Sequence, residues 1–294
     1  MLIDLLGSKV PSRDLVCSFN GEPMRPVDGP YVNLYVRMTD SCQASCGFCN
    51  LHDESKTRPF DELKLMYLME EIAKVAKIKK VAFTGGEPTL NFEEFTRTLN
   101  LVHSFDPTIP LTLNTNGLNF RKLVDKDIHS KIECLSLSRH HYDDIKNAEL
   151  LGVKHNPYTL VDLRDFPNKD NLHLRCNLIK GGIDSLDEAN KYISSMSELG
   201  IRDFGFVSLM QFNDFCRENF ISFQDVDLDR VKNARVIRTW SKESCICKNY
   251  LMYTDNGKII KYYARVNGDV SDCSSTLVYD QDTLRIGFTG ATII

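Results

Sequence analysis

What most limits the folds open to this chain is a rhythm: from residue 31 to about residue 210, short β-branched and aromatic runs alternate with longer amphipathic ones. Strand-like runs fall at Tyr31 to Met38, Lys80 to Thr84, Leu111 to Thr115, Ile132 to Ser138, Leu172 to Ile179 and Asp203 to Leu209. Between the first two, Glu62 to Ile78 places Leu63, Met66, Met69, Ala73 and Ala76 at helical spacing, a stripe expected to pack on a sheet. Asn91 with Glu94, and Ser185 with Glu188, are capping pairs that open two further helices. Such repeats give parallel strands joined by right-handed crossovers, and six units curl into part of a barrel rather than a closed eightfold one. The expected class is α/β, a partial (β/α)6 TIM-like barrel over residues 31–210 whose C-terminal strand ends face the active site. Residues 1–30 read as an N-terminal extension. After Gln211 the rhythm fades, and residues 211–294 read as a cysteine-containing C-terminal extension capping the barrel, with a lone Trp240 and a hairpin signal at Asn256 and Gly257.

Composition narrows the class of function. The 294 residues are 42% hydrophobic and 26% charged, ordinary for a globular chain, and no apolar run is long enough to span a bilayer. A net charge of -4 with no basic block leaves no electrostatic footprint for tight nucleic-acid binding, so a small molecule, nucleotide or peptide suits the chain better. The start, MLIDLLGSKVPSRD, does not read as a secretory signal, which points to the cytoplasm. Ten cysteines in that compartment are expected to be metal ligands or buried thiols rather than a disulfide framework.

Directly after the first strand comes TDSCQASCGFCN, which places Cys42, Cys46 and Cys49 on one loop as C-x3-C-x2-C. Iron-sulfur clusters usually take four cysteines, so a site with three leaves one iron open to another ligand. The rival readings are a zinc site, with His52 the nearest fourth ligand, and buried structural thiols. One β/α unit later, TGGEP at Thr84 to Pro88 ends the second strand; its glycines allow close backbone approach, and its carbonyls or Glu87 can accept from an ammonium group. These two motifs in this order, with aromatic Phe48 before the last cysteine, resemble the signature of the radical S-adenosylmethionine (SAM) superfamily. The resemblance implies a [4Fe-4S] cluster on Cys42, Cys46 and Cys49 whose open iron takes SAM's amino and carboxylate groups. It implies that Gly85, Gly86 and Glu87 hold the methionyl amino group. An electron passed through the cluster would cleave SAM to a 5'-deoxyadenosyl radical.

From Val32 to Met210 the chain also resembles the GTP cyclase family of molybdopterin biosynthesis: TD before the first cysteine, an NTNG turn, and strands ending in SLS and SLM. By position this implies SAM contacts at Phe48, Gly86, Ser136 and Met210, with core packing the rival role for Phe48 and Met210. Superfamily analogy adds Asn177 and Arg175 on the fifth strand as cofactor or substrate contacts, or as bridges between strands. The family's two nucleotide-binding arginines are absent, replaced by Tyr35 and Ala82, and neither can supply the guanidinium fork. The chain ends in ATII rather than the family's Gly-Gly. Cys245 and Cys247, then Asn249, Tyr250 and TDNGK, resemble the family's auxiliary-cluster segment, with Tyr262 or Tyr263 near the place of its third cysteine. Cys245, Cys247 and Cys273, with Cys216 as a candidate fourth ligand, would hold a second [4Fe-4S] cluster; buried cysteines left from a lost cluster are the alternative. Arg139, His140, His141, Tyr142, Asp143 and Asp144 follow the fourth strand and would meet substrate or SAM, or form a solvated helix start.

The reading is a radical SAM enzyme that abstracts hydrogen from a small-molecule or nucleotide-like substrate, fed by an external reductant such as a flavodoxin or ferredoxin, with no nucleic acid or membrane partner. The alternatives are a maturase of a ribosomal peptide and, from another class, a non-catalytic metal-binding scaffold.

Overall fold

The computed structural model describes residues 2–11, 29–49, 51, 59–211, 213–240, 248–264, 276–287 and 290–294. Strands β1 (Leu2–Leu5) and β2 (Ser8–Pro11) form a separate hairpin that buries Ile3, Leu5 and Val10 in the main core. The six expected strands follow as β3 (Tyr31–Arg37), β4 (Lys77–Thr84), β5 (Leu111–Thr115), β6 (Cys134–Ser138), β7 (Leu172–Leu178) and β8 (Asp203–Ser208). They lie side by side in chain order and all parallel. The crossovers are α1 (Glu62–Val75), α2 (Phe92–Phe105), α3 (Phe120–Asp125), α4 (Asp144–Leu151) with α5 (Leu160–Asp165), and α6 (Leu186–Glu198). Asn91 and Ser185 cap α2 and α6 as their sequence context predicts, each accepting from the backbone N–H three residues on.

Helix α1 departs from expectation in phase and in length. Leu65, Leu68, Met69 and Ile72 form the buried stripe, whereas Leu63 is 83% exposed. Both sets satisfy helical spacing, and the tertiary fit selects the face with four large aliphatic side chains. The helix ends at Val75 because Ala76 is already extended, and β4 starts at Lys77, where Ile78 alternates into the core.

Among the described residues, the C-terminal third widens the sheet rather than capping the barrel. After α7 (Asp214–Glu218) and α8 (Phe223–Val226) come β9 (Ala234–Trp240), β10 (Lys248–Thr254), β11 (Ile259–Ala264), β12 (Thr276–Asp280) and β13 (Thr283–Ile286). The order across the eleven strands is β13-β12-β3-β4-β5-β6-β7-β8-β11-β10-β9. β11 pairs parallel with β8, and β12 parallel with β3, so both edges of the six-stranded arc gain a parallel neighbour. An open arc leaves a row of backbone N–H and C=O groups at each edge, and these strands satisfy them. The hairpin signal at Asn256 and Gly257 joins β10 to β11, with Gly257 at φ 77°.

Side chains alternate across these strands. Leu34, Val36, Val81, Phe83, Leu113, Leu135, Leu137, Leu174, Phe204 and Phe206 form a hydrophobic layer with the helices. The opposite face is polar, carrying Asn33, Lys80, Asn114, Ser136, His173, Arg175, Asn177 and Asp203 at registered positions. Within it the Asp203 carboxylate bonds His173 Nδ1 and Lys261 Nζ, each at 2.8 Å.

Candidate cluster and cofactor site

At the C-terminal ends of the strands lies a cavity of about 510 Å³, lined by the three loop cysteines, by the turn after β4 and by the ends of β5 to β8. The cysteine loop is held from two sides. Along β4, Met38 N–H donates to Thr84 O (2.9 Å), Gly86 N–H to Thr39 O (2.7 Å) and Glu87 N–H to Ser41 O (2.9 Å). Toward α4, Ser45 N–H donates to Leu151 O (3.1 Å), and its hydroxyl to Gly152 O (2.8 Å). The glycines of the GGEP turn are required by this docking: a Cβ on Gly85 would lie 2.3 Å from Thr39 O, and one on Gly86 2.2 Å from Ser41 O. Both also line the cavity, but the close approach they permit is to the cysteine loop's own backbone.

Helix α7 clamps the loop from outside. Its N-cap Asn213 accepts from Cys216 N–H and donates through Nδ2 to Gly47 O at 3.0 Å, while a Cβ on Gly47 would meet the Phe215 ring at 2.7 Å. Cys216 is fully buried with its thiol 3.7 Å from Phe48 O, so the candidate fourth ligand of a second cluster packs behind the first cysteine loop.

Cys42, Cys46 and Cys49 all face the cavity. Burial, then the neighbouring Cys49 and Cys42, pushes the Cys46 thiol up to about 12. Burial also raises Cys42, opposed by the Ala44 N–H and by the Asn116 amide. Leu51 N–H points at Cys49 Sγ (3.4 Å). Three soft donors with N–H groups aimed at two of the sulfurs fit an iron-sulfur cluster, because anionic sulfur accepts those bonds and a cationic inorganic core offsets the burial of charge. Among the described residues no three His, Cys, Asp or Glu side chains converge on a single ion.

The other expected site residues divide. Phe48, Gly85, Gly86, Asn177 and Met210 line the cavity with the cysteines. Glu87 and Ser136 are not among the lining residues. Glu87 is fully buried, and its carboxylate accepts from Thr89 N–H (3.0 Å), the Thr89 and Thr115 hydroxyls (2.6 and 2.7 Å) and Asn116 N–H (2.8 Å). All four donors are internal, so the carboxylate braces the turn rather than reaching for an ammonium group. Ser136 is buried one step down β6, its hydroxyl without a partner among the described residues, and Ser138 takes the wall position. Cys245, Cys247 and Cys273 lie outside the described residues, as does His52.

Of the six residues from Arg139 to Asp144, only His140 lines the cavity. Arg139 is fully buried, paired with Asp144 at 2.7 Å and donating to Tyr142 O. Asp143 caps α4, and His141 Nδ1 accepts from Asp143 N–H. His140 stands edge-on to Phe48, ring centroids 4.8 Å apart, and its Nδ1 accepts from Asn177 N–H at 3.1 Å. That bond places the neutral ring's proton on Nε2. Burial, reinforced by Arg175 and Arg139, pushes its pKa down to about 3, so it faces the cavity uncharged.

Sequence reasoning missed Asp40, Asn114, Asn116, Ser138 and Leu151 on the cavity wall. The NTNG turn was the available signal for Asn114 and Asn116, the TD pair before the first cysteine for Asp40 and the SLS strand end for Ser138; Leu151 carries none beyond its helix end.

Residues 36–163 match the family model of the Radical SAM superfamily. Its curated relatives include a probable GTP 3',8-cyclase of Metallosphaera sedula, 25% identical over 184 residues that cover 61% of this chain and 56% of that protein. A probable dual-specificity RNA methyltransferase RlmN of Clostridium botulinum is 30% identical over 168 residues, covering 51% of this chain and 47% of that one. The matched part thus spans about half the length of these two relatives. Among solved structures, Streptococcus suis SuiB bound to S-adenosylmethionine is similar with a TM-score of 0.51 at 19% identity, over 63% of this chain and 42% of SuiB. A radical SAM methyltransferase from Sphaerobacter thermophilus also gives 0.51, at 16% identity, over 71% and 64% of the two chains. Both share the fold, a mostly parallel α/β arc. No helix among the described residues is long and apolar enough to cross a membrane.

Proposed function

We propose that this chain is a radical SAM enzyme whose Cys42, Cys46 and Cys49 hold a [4Fe-4S] cluster, and that the adjoining cavity takes SAM with a small-molecule or nucleotide-like substrate above it. The observation that carries the reading is the joining of the cysteine loop to the GGEP turn on one cavity wall by the Gly86–Thr39 and Glu87–Ser41 hydrogen bonds. When bound, the cluster and SAM supply reductive carbon-sulfur cleavage and a 5'-deoxyadenosyl radical for hydrogen abstraction. The protein's part is to bind, orient and exclude water. Gly85 and Gly86 offer backbone beside the cluster loop for the methionyl end; Arg175, the one Lys or Arg among the lining residues, suits a carboxylate; and Phe48, His140, Leu209 and Met210 give an adenine-sized apolar wall. Asn177 and Ser138 offer polar contacts beside it.

The missing nucleotide arginines argue for a substrate other than GTP. Tyr35 stands at one of the two positions, with Lys80 Nζ 5.8 Å from its ring centroid, and Ala82 at the other is fully buried. For Cys245 and Cys247, support for a second cluster rests on register: Lys248 pairs with Ala264 and Trp240 with Asn249, and β11 runs parallel with β8, so the strand ends flanking residues 241–247 lie at the sheet end that carries the cavity. Thr276 pairs with Asn33 near the opposite end of β3, so register lends Cys273 no such support.

Anaerobic reconstitution with iron and sulfide, followed by dithionite and SAM, is expected to yield 5'-deoxyadenosine. The Cys46→Ala variant should form none. Wild-type protein that loads four irons yet leaves SAM intact would overturn the proposal.

A further inference from the structure

The NTNG turn between β5 and α3 has a use that its backbone alone does not explain. Thr115 donates its hydroxyl to Glu87 and accepts from Gly117 N–H at 2.9 Å. Gly117 sits at φ 87°, where a Cβ would lie 2.3 Å from the Tyr158 ring. Asn116 lies between them, 8% exposed, with its side chain turned to the cysteine loop 74 residues earlier.

Its amide orientation follows from chemistry. Leu118 N–H can only donate, and it lies 3.0 Å from one terminal atom of the Asn116 amide, which must therefore be the oxygen. The other terminal atom, the NH2 group, then faces Cys42 Sγ at 3.3 Å. Gln43 holds the same orientation through a reciprocal amide pair: its Nε2 donates to Asn116 Oδ1 at 2.8 Å, and its Oε1 accepts from Asn116 Nδ2 at 3.3 Å. The buried Glu87 carboxylate anchors the other end by accepting Asn116 N–H. One connected path thus runs from the GGEP turn through Asn116 to a cysteine sulfur.

We infer that Asn116 is a redox-positioning residue: its Nδ2–H donates to the Cys42 thiolate and raises the reduction potential of the cluster, with Glu87, Leu118 and Gln43 holding the amide in place. This rests on the cluster reading above. Hydrogen bonds to cluster sulfurs are among the terms that set these potentials. One-electron reduction by an external low-potential donor adds negative charge shared with the sulfurs, so a donor to sulfur favours the reduced form more than the oxidised one. Removing it lowers the potential.

The informative variant is Asn116→Asp, which keeps the oxygen that accepts from Leu118 and Gln43 and replaces only the donor with a charged acceptor. Asn116→Ala removes the donor without adding charge. In an anaerobic potentiometric titration of reconstituted full-length protein, followed by the electron paramagnetic resonance of the reduced cluster, both midpoints should fall, with Asp below Ala. A tenfold drop in the reduced-to-oxidised ratio at fixed potential, about 59 mV for one electron, is the expected scale for Asp. 5'-Deoxyadenosine formation in the variants should fall with a reductant poised near the wild-type midpoint and recover with titanium(III) citrate, which a merely structural role would not produce. Midpoints of both variants within twofold of wild type in that ratio overturn the inference while leaving the enzyme reading intact. So does loss of the cluster from Asn116→Asp with an unchanged circular dichroism spectrum, since Asn116 would then be a structural brace. A wild-type protein that takes up no four-iron cluster overturns both.

Discussion

Residue by residue, the site is a set of close approaches that leave little freedom. Glu87 has two oxygens serving four donors from two different turns, and it is fully buried. Burial raises its carboxyl pKa while the Thr89 and Thr115 donors pull it down, so each donor lost weakens the case for holding charge there. Glu87→Ala would strand four donors and is expected to cost about 3–5 kcal/mol, the range for breaking a buried charged network. Glu87→Gln keeps one acceptor but is expected to set an NH2 against Asn116 N–H, for about 1–3 kcal/mol. Urea denaturation of the apo variants measures both. A Glu87→Gln variant as stable as wild type would remove the brace role. The sequence placed Glu87 in the site and misjudged its task, because a glutamate beside two glycines looks the same whether it faces ligand or core.

Secondary-structure elements decide how the cysteine loop is held. Helix α7 has only five residues and no stability of its own, yet its N-cap side chain reaches the Gly47 carbonyl and its Phe215 covers Gly47. Asn213→Ala is expected to cost about 1 kcal/mol as a lost cap. It should also raise backbone amide exchange across residues 45–49 more than in α2 or α6, as hydrogen-deuterium exchange would show. Uniform protection across all these segments would contradict a clamping role. The elements themselves were largely legible: five of six strands start or end within two residues of the sequence reading at both ends, because alternation within a strand is a local signal. The sequence reading of β4 starts three residues late, since the register shift between Ile78 and Lys80 breaks the alternation that joins Ile78 to the rest of the strand. The stripe of α1 was read one residue out of phase, since its helix has apolar residues on more than one face.

The whole molecule joins distant segments through buried polar contacts. Arg37 pairs with Asp40 (2.6 Å) and approaches Asp280 (3.5 Å), and Gln281 donates to Asp40 at 2.8 Å, so the C-terminal hairpin is tied to the strand and turn that launch the cysteine loop. Two buried histidines make stability depend on pH. Burial, with Arg175 and Arg139, puts His140 at about 3, and burial also lowers His173 against the opposing Asp203. A histidine whose native pKa lies below its unfolded value of about 6.5 is protonated in the unfolded chain first, so stability is full above that pH and falls as pH drops below it. For His140 alone the loss between pH 6.5 and 5 is about 2 kcal/mol. Thermal or urea unfolding of the apo protein should show a decline starting near pH 6.5, with a smaller slope in His140→Asn. An equal slope in that variant would mean the buried imidazole does not carry the effect.

From the chain alone came the β/α rhythm, the three cysteines on one loop, the glycine turn one unit later and the absence of the nucleotide arginines, all of them properties of near neighbours in sequence. Tertiary structure alone decided that β11 and β12 close the two edges of the arc, that Glu87 faces inward, that His140 and not its five neighbours reaches the cavity, and that Asn116 meets Cys42. Each of these pairs groups tens to hundreds of residues apart. Local spacing carries periodicity and turn chemistry, but which distant donor meets which acceptor is settled only when sheet register and burial bring them within a few ångströms.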